Sequence, residues 1–201
     1  MLNLLNAIRK REQNSPAGKA EINLLDDKMK RLVIAEWEGI LNHNPKFIQT
    51  TWIRSANRSA SIKKTFGVAP HEDPSKHHHF KDIGIIIQAF FQKIIIDEKL
   101  EDTQNRRSCE ALGARHLDFV AQGFNSTFWD IFLVCMEEVI LETLETYTLD
   151  THRRTVLKDA FERVFATIVH YMRTGYQGRR RREMNDQRAN GTNNNGCLKD
   201  M

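Results

Sequence analysis

The amino-acid sequence predicts an all-α fold, and two observations support this. Apolar residues recur at intervals of three and four along most of the chain, the spacing of one face of an α-helix. The two isoleucine-rich runs, at residues 85–87 and 94–96, have no hairpin turn signal between them. The chain has 201 residues, enough for one domain with a sizeable core. We therefore expect about seven or eight helices and no convincing strand.

The first two helices follow from apolar stripes and a break between them. The first stripe covers residues 26–41, with Trp37 on its buried face. The break comes at residues 42–45, where Asn44 is suited to cap a second helix and Pro45 to its first turn. The second helix carries the apolar residues Phe47, Ile48, Trp52 and Ile53.

The middle of the chain predicts a turn, a core helix and a loop. A helix ends at Phe66, an aromatic residue at the start of a turn. After a polar connection at residues 71–76, the next helix begins around His77 and is so apolar along its length that we expect it to cross the core. Residues 100–107 are charged and are predicted to form a loop.

Three more helices complete the fold. A short amphipathic helix ends near His116, and a long helix covers residues 128–144. The last helix starts after Asp150 and is predicted to end at Gly175.

Composition divides the chain into three segments. Residues 1–20 are polar and basic with a proline and a glycine, so we predict a disordered N-terminal segment. Residues 21–177 form the folded domain. Residues 178–201 contain a run of arginines and an asparagine-rich stretch, and are predicted to be a flexible tail. The arginines of this run are Arg179, Arg180, Arg181 and Arg182.

Composition also excludes several classes of function. The formal net charge is only +4, and its excess is too local for a nucleic-acid-binding domain, so no nucleic acid is expected as a partner. The longest apolar runs are far shorter than the ~20 residues of a membrane span. The three cysteines form no CxxC pair and no secretory leader is present, which predicts a cytoplasmic protein. Because no nucleophile lies in a recognisable motif, we do not expect an enzyme.

His116 is the candidate for a functional side chain. It follows Leu112 by four residues, so both side chains lie on one helix face, and Phe119, Phe124 and Phe128 supply flat apolar walls. Neutral imidazole is a good ligand for iron, including the iron of a porphyrin. The alternative is that His116 simply ends an amphipathic helix as a polar cap.

Several residues occur in the order and rough spacing that they have in globins. These are Trp37 in the first helix, Phe66 at a turn, a histidine opening the core helix, and His116. Together with the Leu-Gly-x-x-His, Gly-Phe and Phe-Trp motifs, they make residues 22–176 resemble the globin family. The resemblance is strongest to invertebrate, nematode-type globins and extends more distantly to neuroglobin.

The resemblance implies a globin fold around haem b (iron protoporphyrin IX). His116 would be the proximal iron ligand, and Phe66 would stack on the haem. His79 would be the distal residue, with Ile83 on the same helix face crowding the ligand site. Because the interval from His79 to His116 is longer than usual in the family, Gln88 is an alternative distal residue.

Two neighbouring features bear on the distal side. Trp52 falls where the family commonly has leucine or phenylalanine, so it would reduce the space for a gas unless Ile53 is the inward residue. His77 and His78 are expected at a solvated helix start, because consecutive residues point about 100° apart on a helix.

The expected function is reversible binding, or sensing, of oxygen or another diatomic gas. If His79 instead binds the iron, the protein would be a bis-histidyl, hexacoordinate globin that serves electron transfer or redox signalling with a redox partner. The alternative from another class is a haem-free helical interaction module with a basic tail. A homodimer is compatible with each of these.

Overall fold

The structure is a computed structural model, and it describes residues 25–193, with side chains up to residue 189. These residues form seven α-helices: α1 (Asp27–His43), α2 (Phe47–Arg58), α3 (Ala60–Thr65), α4 (His78–Gln92), α5 (Asp102–Arg115), α6 (Thr127–Tyr147) and α7 (Thr151–Asn193). Short 3₁₀ segments occur at Pro74–Lys76 and His116–Gln122, and a π-helical turn at Lys93–Asp97. Because residues 25–193 contain no strand, the all-α prediction is confirmed for this part of the chain.

The core lies around α7, against which α1, α5 and α6 pack. On the other side of α6 lies α2, and α4 packs on α2. Trp37 is fully buried, as predicted, and its indole Nε1 donates a 2.7 Å hydrogen bond to Oε1 of Gln92. A buried indole N–H needs such a partner, because leaving it unpaired would cost free energy. The rings around this indole are Phe47, Phe91 and Phe161.

The junction between α1 and α2 differs from the prediction. Asn44 ends α1 rather than capping α2, and its Nδ2 donates to the Thr143 hydroxyl at 2.9 Å. The residue before α2 is Lys46, whose side chain makes no capping bond. The predicted cap was wrong because a partner on α6, 99 positions away in the chain, takes the asparagine side chain.

The predicted core helix, α4, is buried along one face only. Phe80, Gly84 and Phe91 are buried, whereas Ile85 and Ile86 are 56% and 66% exposed. At Gly84, an added methyl group would lie 3.3 Å from Cγ of a glutamine on α2, so this face lies directly against α2. The expectation that α4 crosses the core was therefore wrong, because this helix packs on the core through one face and exposes the other.

The charged stretch at residues 100–107 is mostly helix rather than loop. Helix α5 begins at Asp102 because Glu101 caps it, accepting hydrogen bonds from the backbone N–H groups of Thr103 and Gln104 at 3.1 and 2.7 Å. Most of the charged side chains here face solvent, where an ordinary helix tolerates them.

The last helix does not end at Gly175 but continues to Asn193. Residues 178–193, predicted as part of a flexible tail, are thus helical. The predicted N-terminal segment 1–20 and the end of the predicted tail, residues 194–201, lie outside the described residues. None of the described helices is both long and apolar enough to span a membrane.

Candidate functional site

The candidate site begins with a close crossing of α5 over α7. A methyl group added at Gly113 of α5 would overlap the backbone carbonyl of Met172 on α7. One added at Gly175 of α7 would overlap the backbone carbonyl of Glu110 on α5. The two backbones are therefore in direct contact. This contact fixes the last turn of α5 on the surface of α7, and His116 directly follows that turn.

His116 follows the last residue of α5, and its ring is held in one tautomer. Its Nδ1 lies 2.9 Å from the carbonyl oxygen of Leu112, and a carbonyl can only accept. Nδ1 must therefore donate, which leaves the lone pair of a neutral ring on Nε2. Among the residues that the structure describes, no other group hydrogen-bonds to this imidazole.

The surroundings of His116 favour its neutral form. Burial lowers the pKa of His116 from its ordinary value of 6.5, and the bond to Leu112 opposes this effect. The positive charge of Arg115 lowers the same pKa further. At pH 7 the ring is thus neutral, the form in which an imidazole binds metal.

Aromatic rings surround His116. The ring centroids of Phe124, Trp129 and Phe119 lie 4.9, 5.2 and 6.0 Å from the imidazole centroid. Tyr176 of α7 packs on Phe124 and Trp129 at 6.0 and 5.7 Å. We call these five residues the His116 cluster. Two of the three predicted walls, Phe119 and Phe124, therefore contact His116 directly.

Phe128, the third predicted wall, lies one ring further away. It is buried and packs edge-on against Phe124 at 5.7 Å. Sequence reasoning missed Trp129 and Tyr176. Trp129 follows Phe128 in the Phe-Trp motif, and the side chains of consecutive helix residues point about 100° apart. The sequence prediction assigns only Phe128 to the site. Tyr176 was hidden by the prediction that the last helix ends at Gly175.

A second apolar surface lies on α4. His79, Ile83, Ile86 and Phe90 are spaced by four, three and four residues, so they share one face of the helix, which we call the α4 stripe. His79 and Ile86 are exposed, and the other two are half-buried. Gln88 follows His79 by nine residues, which places it about 180° around the helix, on the opposite face.

The residues predicted for the distal side meet at the start of α4. Trp52 stacks on Phe80 with ring centroids 4.6 Å apart, and its Nε1 donates to the Phe80 carbonyl at 3.1 Å. The edge of the Trp52 ring contacts Phe66 at 5.2 Å, and Phe66 lies 6.4 Å from His79. Ile53 instead lines a surface cleft between α2 and α6, so Trp52 is the one directed towards Phe66.

The two surfaces are separate in the described residues. Helix α4 packs on α2, whereas α5 packs on α7, and no ring of the α4 stripe contacts His116. Helix α6 contacts both α4 and the His116 cluster, because Phe132, one turn after Trp129, stacks on the buried Phe91 of α4 at 6.3 Å. Sequence reasoning placed His116 and His79 on opposite sides of one pocket, and this remains a prediction.

The donor set at His116 suits a cofactor that brings its own metal ligands. No group of three or more His, Cys, Asp and Glu side chains suited to a metal ion occurs in the described part of the chain. A porphyrin supplies four ring nitrogens, so its iron needs only one protein ligand, and an Nε2 lone pair surrounded by aromatic rings fits that requirement. No protein-family model and no curated protein matches this chain.

Acid should destabilise the fold through His116. Because the folded pKa is lowered, the unfolded chain binds a proton that the folded chain does not, and the free energy of unfolding falls as the pH drops below about 6.5. Urea unfolding at pH 7.5 and 5.5 measures this in the apoprotein. The loss of stability between the two pH values should be smaller in His116→Gln, because the substitution removes this imidazole. The same pH dependence in both proteins would contradict the lowered pKa.

Proposed function

We propose that this chain binds haem b through His116, in the manner of a globin. The observation that carries the proposal is the 2.9 Å bond from His116 Nδ1 to the Leu112 carbonyl, which leaves the lone pair of the neutral ring on Nε2, in an aromatic setting. This bond orients the ring and increases the basicity of the ligating nitrogen, as the outer partners of metal-bound histidines generally do.

The exposed apolar side chains of the His116 cluster and of the α4 stripe support the binding of a flat apolar ligand. In the His116 cluster Phe119 is 49% exposed, and on the α4 stripe Ile86 is 66% exposed. Covering such surface gains on the order of 25 cal/mol per Å² of apolar area removed from water. We assign contact with the porphyrin to Leu112, Phe119 and Phe124 on the proximal side. On the distal side we assign it to Phe66 and Ile83.

The order of the helices also supports the proposal. Phe66 closes α3, the apolar stripe lies on α4, and His116 closes α5. These are the positions that the resemblance to globins gives to the stacking phenylalanine, the distal surface and the proximal ligand. When bound, haem would supply an iron that can take up oxygen or another diatomic gas. We propose reversible binding, or sensing, of such a gas as the function.

A bis-histidyl globin is the second candidate, because of the position of His79. This residue lies on the α4 stripe beside Phe66, and no described residue hydrogen-bonds to its ring. An exposed and unrestrained imidazole can turn towards an iron with little cost. The protein would then serve electron transfer or redox signalling.

Haem titration of the purified apoprotein tests the proposal and separates the two candidates. We expect a Soret band that saturates at one haem per chain. A single broad visible band in the ferrous protein indicates an open site for a gas. Sharp, resolved bands without added ligand indicate two histidines on the iron, provided that His79→Leu abolishes them. His78→Leu is the matched control, since His78 pairs with Asp82 at 2.9 Å and should leave either spectrum unchanged.

Failure to form a stoichiometric Soret band would overturn the proposal. It would favour the haem-free helical interaction module, in which His116 is a packed helix end and the exposed arginines of α7 serve contacts with another protein.

A further inference from the structure

One side chain of the C-terminal part of α7 contacts residues on both sides of His116, a backbone carbonyl before it and a carboxylate after it. Arg179 donates from Nη1 to the carbonyl of Ala114 at 3.1 Å, and its Nη2 lies 2.6 Å from Oδ1 of Asp118. Its Nε donates to Glu183 on its own helix at 2.8 Å. Ala114 is two residues before His116 and Asp118 is two residues after it, so one guanidinium spans the candidate ligand.

The geometry uses the particular shape of an arginine. The Ala114 carbonyl lies in the last turn of α5, the end of a helix that attracts positive charge. Asp118 lies in the 3₁₀ segment that continues from α5. A planar group with several donors reaches both acceptors at once, which the single ammonium of a lysine does less well.

Arg179 differs in this respect from the other arginines of the run. Arg180, Arg181 and Arg182 are exposed, and no hydrogen bond or ion pair joins them to another described residue. Beyond Tyr176 nearly every described side chain of α7, up to residue 189, faces solvent. We call residues 177–193 the C-terminal extension of α7, and Arg179 anchors this extension to α5 and to the segment that follows it.

We propose that Arg179 is a positioning residue for His116, and that it couples the C-terminal extension of α7 to ligand binding at that histidine. This inference rests on the proposed haem function. Because coupling between two sites is reciprocal, occupation of the haem site stabilises the extension, and loss of the anchor weakens retention of haem. The extension is then a regulatory element of the site. A change that breaks the contact between Arg179 and Asp118 makes His116 more mobile and weakens its bond to a ligand.

The test compares Arg179→Gln with Arg180→Gln, which removes the same charge from the next, exposed position. In the apoprotein, amides of residues 113–120 and 177–189 should exchange hydrogen roughly three- to tenfold faster in Arg179→Gln than in wild type. In the haem-loaded protein, Arg179→Gln should lose haem faster to a scavenging apoglobin and shift the iron–histidine stretching frequency in the ferrous Raman spectrum. Arg180→Gln should match wild type in all three measurements. Asp118→Asn should give a smaller change of the same sign.

The outcomes separate this inference from the proposed function. Equal exchange in Arg179→Gln and Arg180→Gln overturns the anchor, whether or not haem binds. Faster exchange with an unchanged Raman frequency and haem-loss rate overturns the coupling to His116. Absence of haem binding in wild type is a failure of the proposed function and removes the coupling with it, and the exchange result then still decides the anchor.

Discussion

Gly113→Ala should destabilise the protein by about 3 kcal/mol or more, the largest effect that we expect from any single methyl group in this chain. The added carbon overlaps the backbone carbonyl of Met172, which cannot move aside as a flexible side chain does. Helix α5 must therefore lift away from α7 and carry His116 with it. Urea unfolding of the apoprotein measures the loss, and we expect haem uptake to fall in parallel.

Gly178→Ala is the matched control, because it also replaces a helical glycine by alanine but lies on α7 three residues beyond the crossing at Gly175. A methyl group there meets only the end of the Arg182 side chain, at 3.7 Å. Alanine is the better helix former, so this variant should be as stable as wild type, or more stable by up to about 1 kcal/mol. Gly175→Ala should resemble Gly113→Ala, because it overlaps the carbonyl of Glu110 at the same crossing. If Gly113→Ala unfolds at the same midpoint urea concentration as wild type, the close contact between α5 and α7 at Gly113 is contradicted.

These glycines also show what sequence reasoning could and could not reach. The apolar period identified the long helix at residues 128–144 as α6, and it placed Trp37 in the core, because both follow from local spacing. Gly175 gave the same local signal as a helix end. Its actual role depends on the backbone of α5, about sixty residues earlier in the chain, which no local pattern reports.

The other differences between sequence prediction and structure, at Asn44 and along α4, also depend on partners that are distant in the chain. The sequence gives no sign that Thr143 would take the side chain of Asn44, because the two are far apart in the chain. Periodicity showed that α4 is apolar, but it cannot tell which side has a neighbour. Ile85 and Ile86 are exposed because neighbouring helices cover the opposite face of α4, with α2 against Phe80 and Gly84 and rings of α1, α6 and α7 around Phe91.

For the site, the local part was predictable and the tertiary part was not. His116, Leu112, Phe119 and Phe124 lie within 13 residues of each other, so helix spacing and a short turn bring them together. The contributions of α7, namely the ring of Tyr176 and the guanidinium of Arg179, come from a helix that was expected to have ended.

His116→Gly should lower haem affinity on the order of 100-fold or more, and added imidazole should restore much of it. Loss of outer partners of a metal ligand already costs about 10- to 100-fold, so loss of the ligand itself must cost at least as much. Glycine removes the imidazole and adds no group, and it can adopt the φ and ψ of this position, −63° and −17°. Titration of haem into the variant, followed at the Soret band, measures the affinity.

The rescue follows from what remains after the imidazole is removed. The carbonyl of Leu112 belongs to the backbone, and the rings of Phe124 and Trp129 still line the vacated space, so a free imidazole finds the same acceptor and the same walls. His152→Gly is the control, since His152 is exposed in the first turn of α7. The haem affinity of this variant should equal that of wild type with or without added imidazole. A His116→Gly protein with wild-type affinity and spectrum would show that the iron ligand lies elsewhere. A lost affinity that imidazole does not restore would show that His116 supports the site through packing alone.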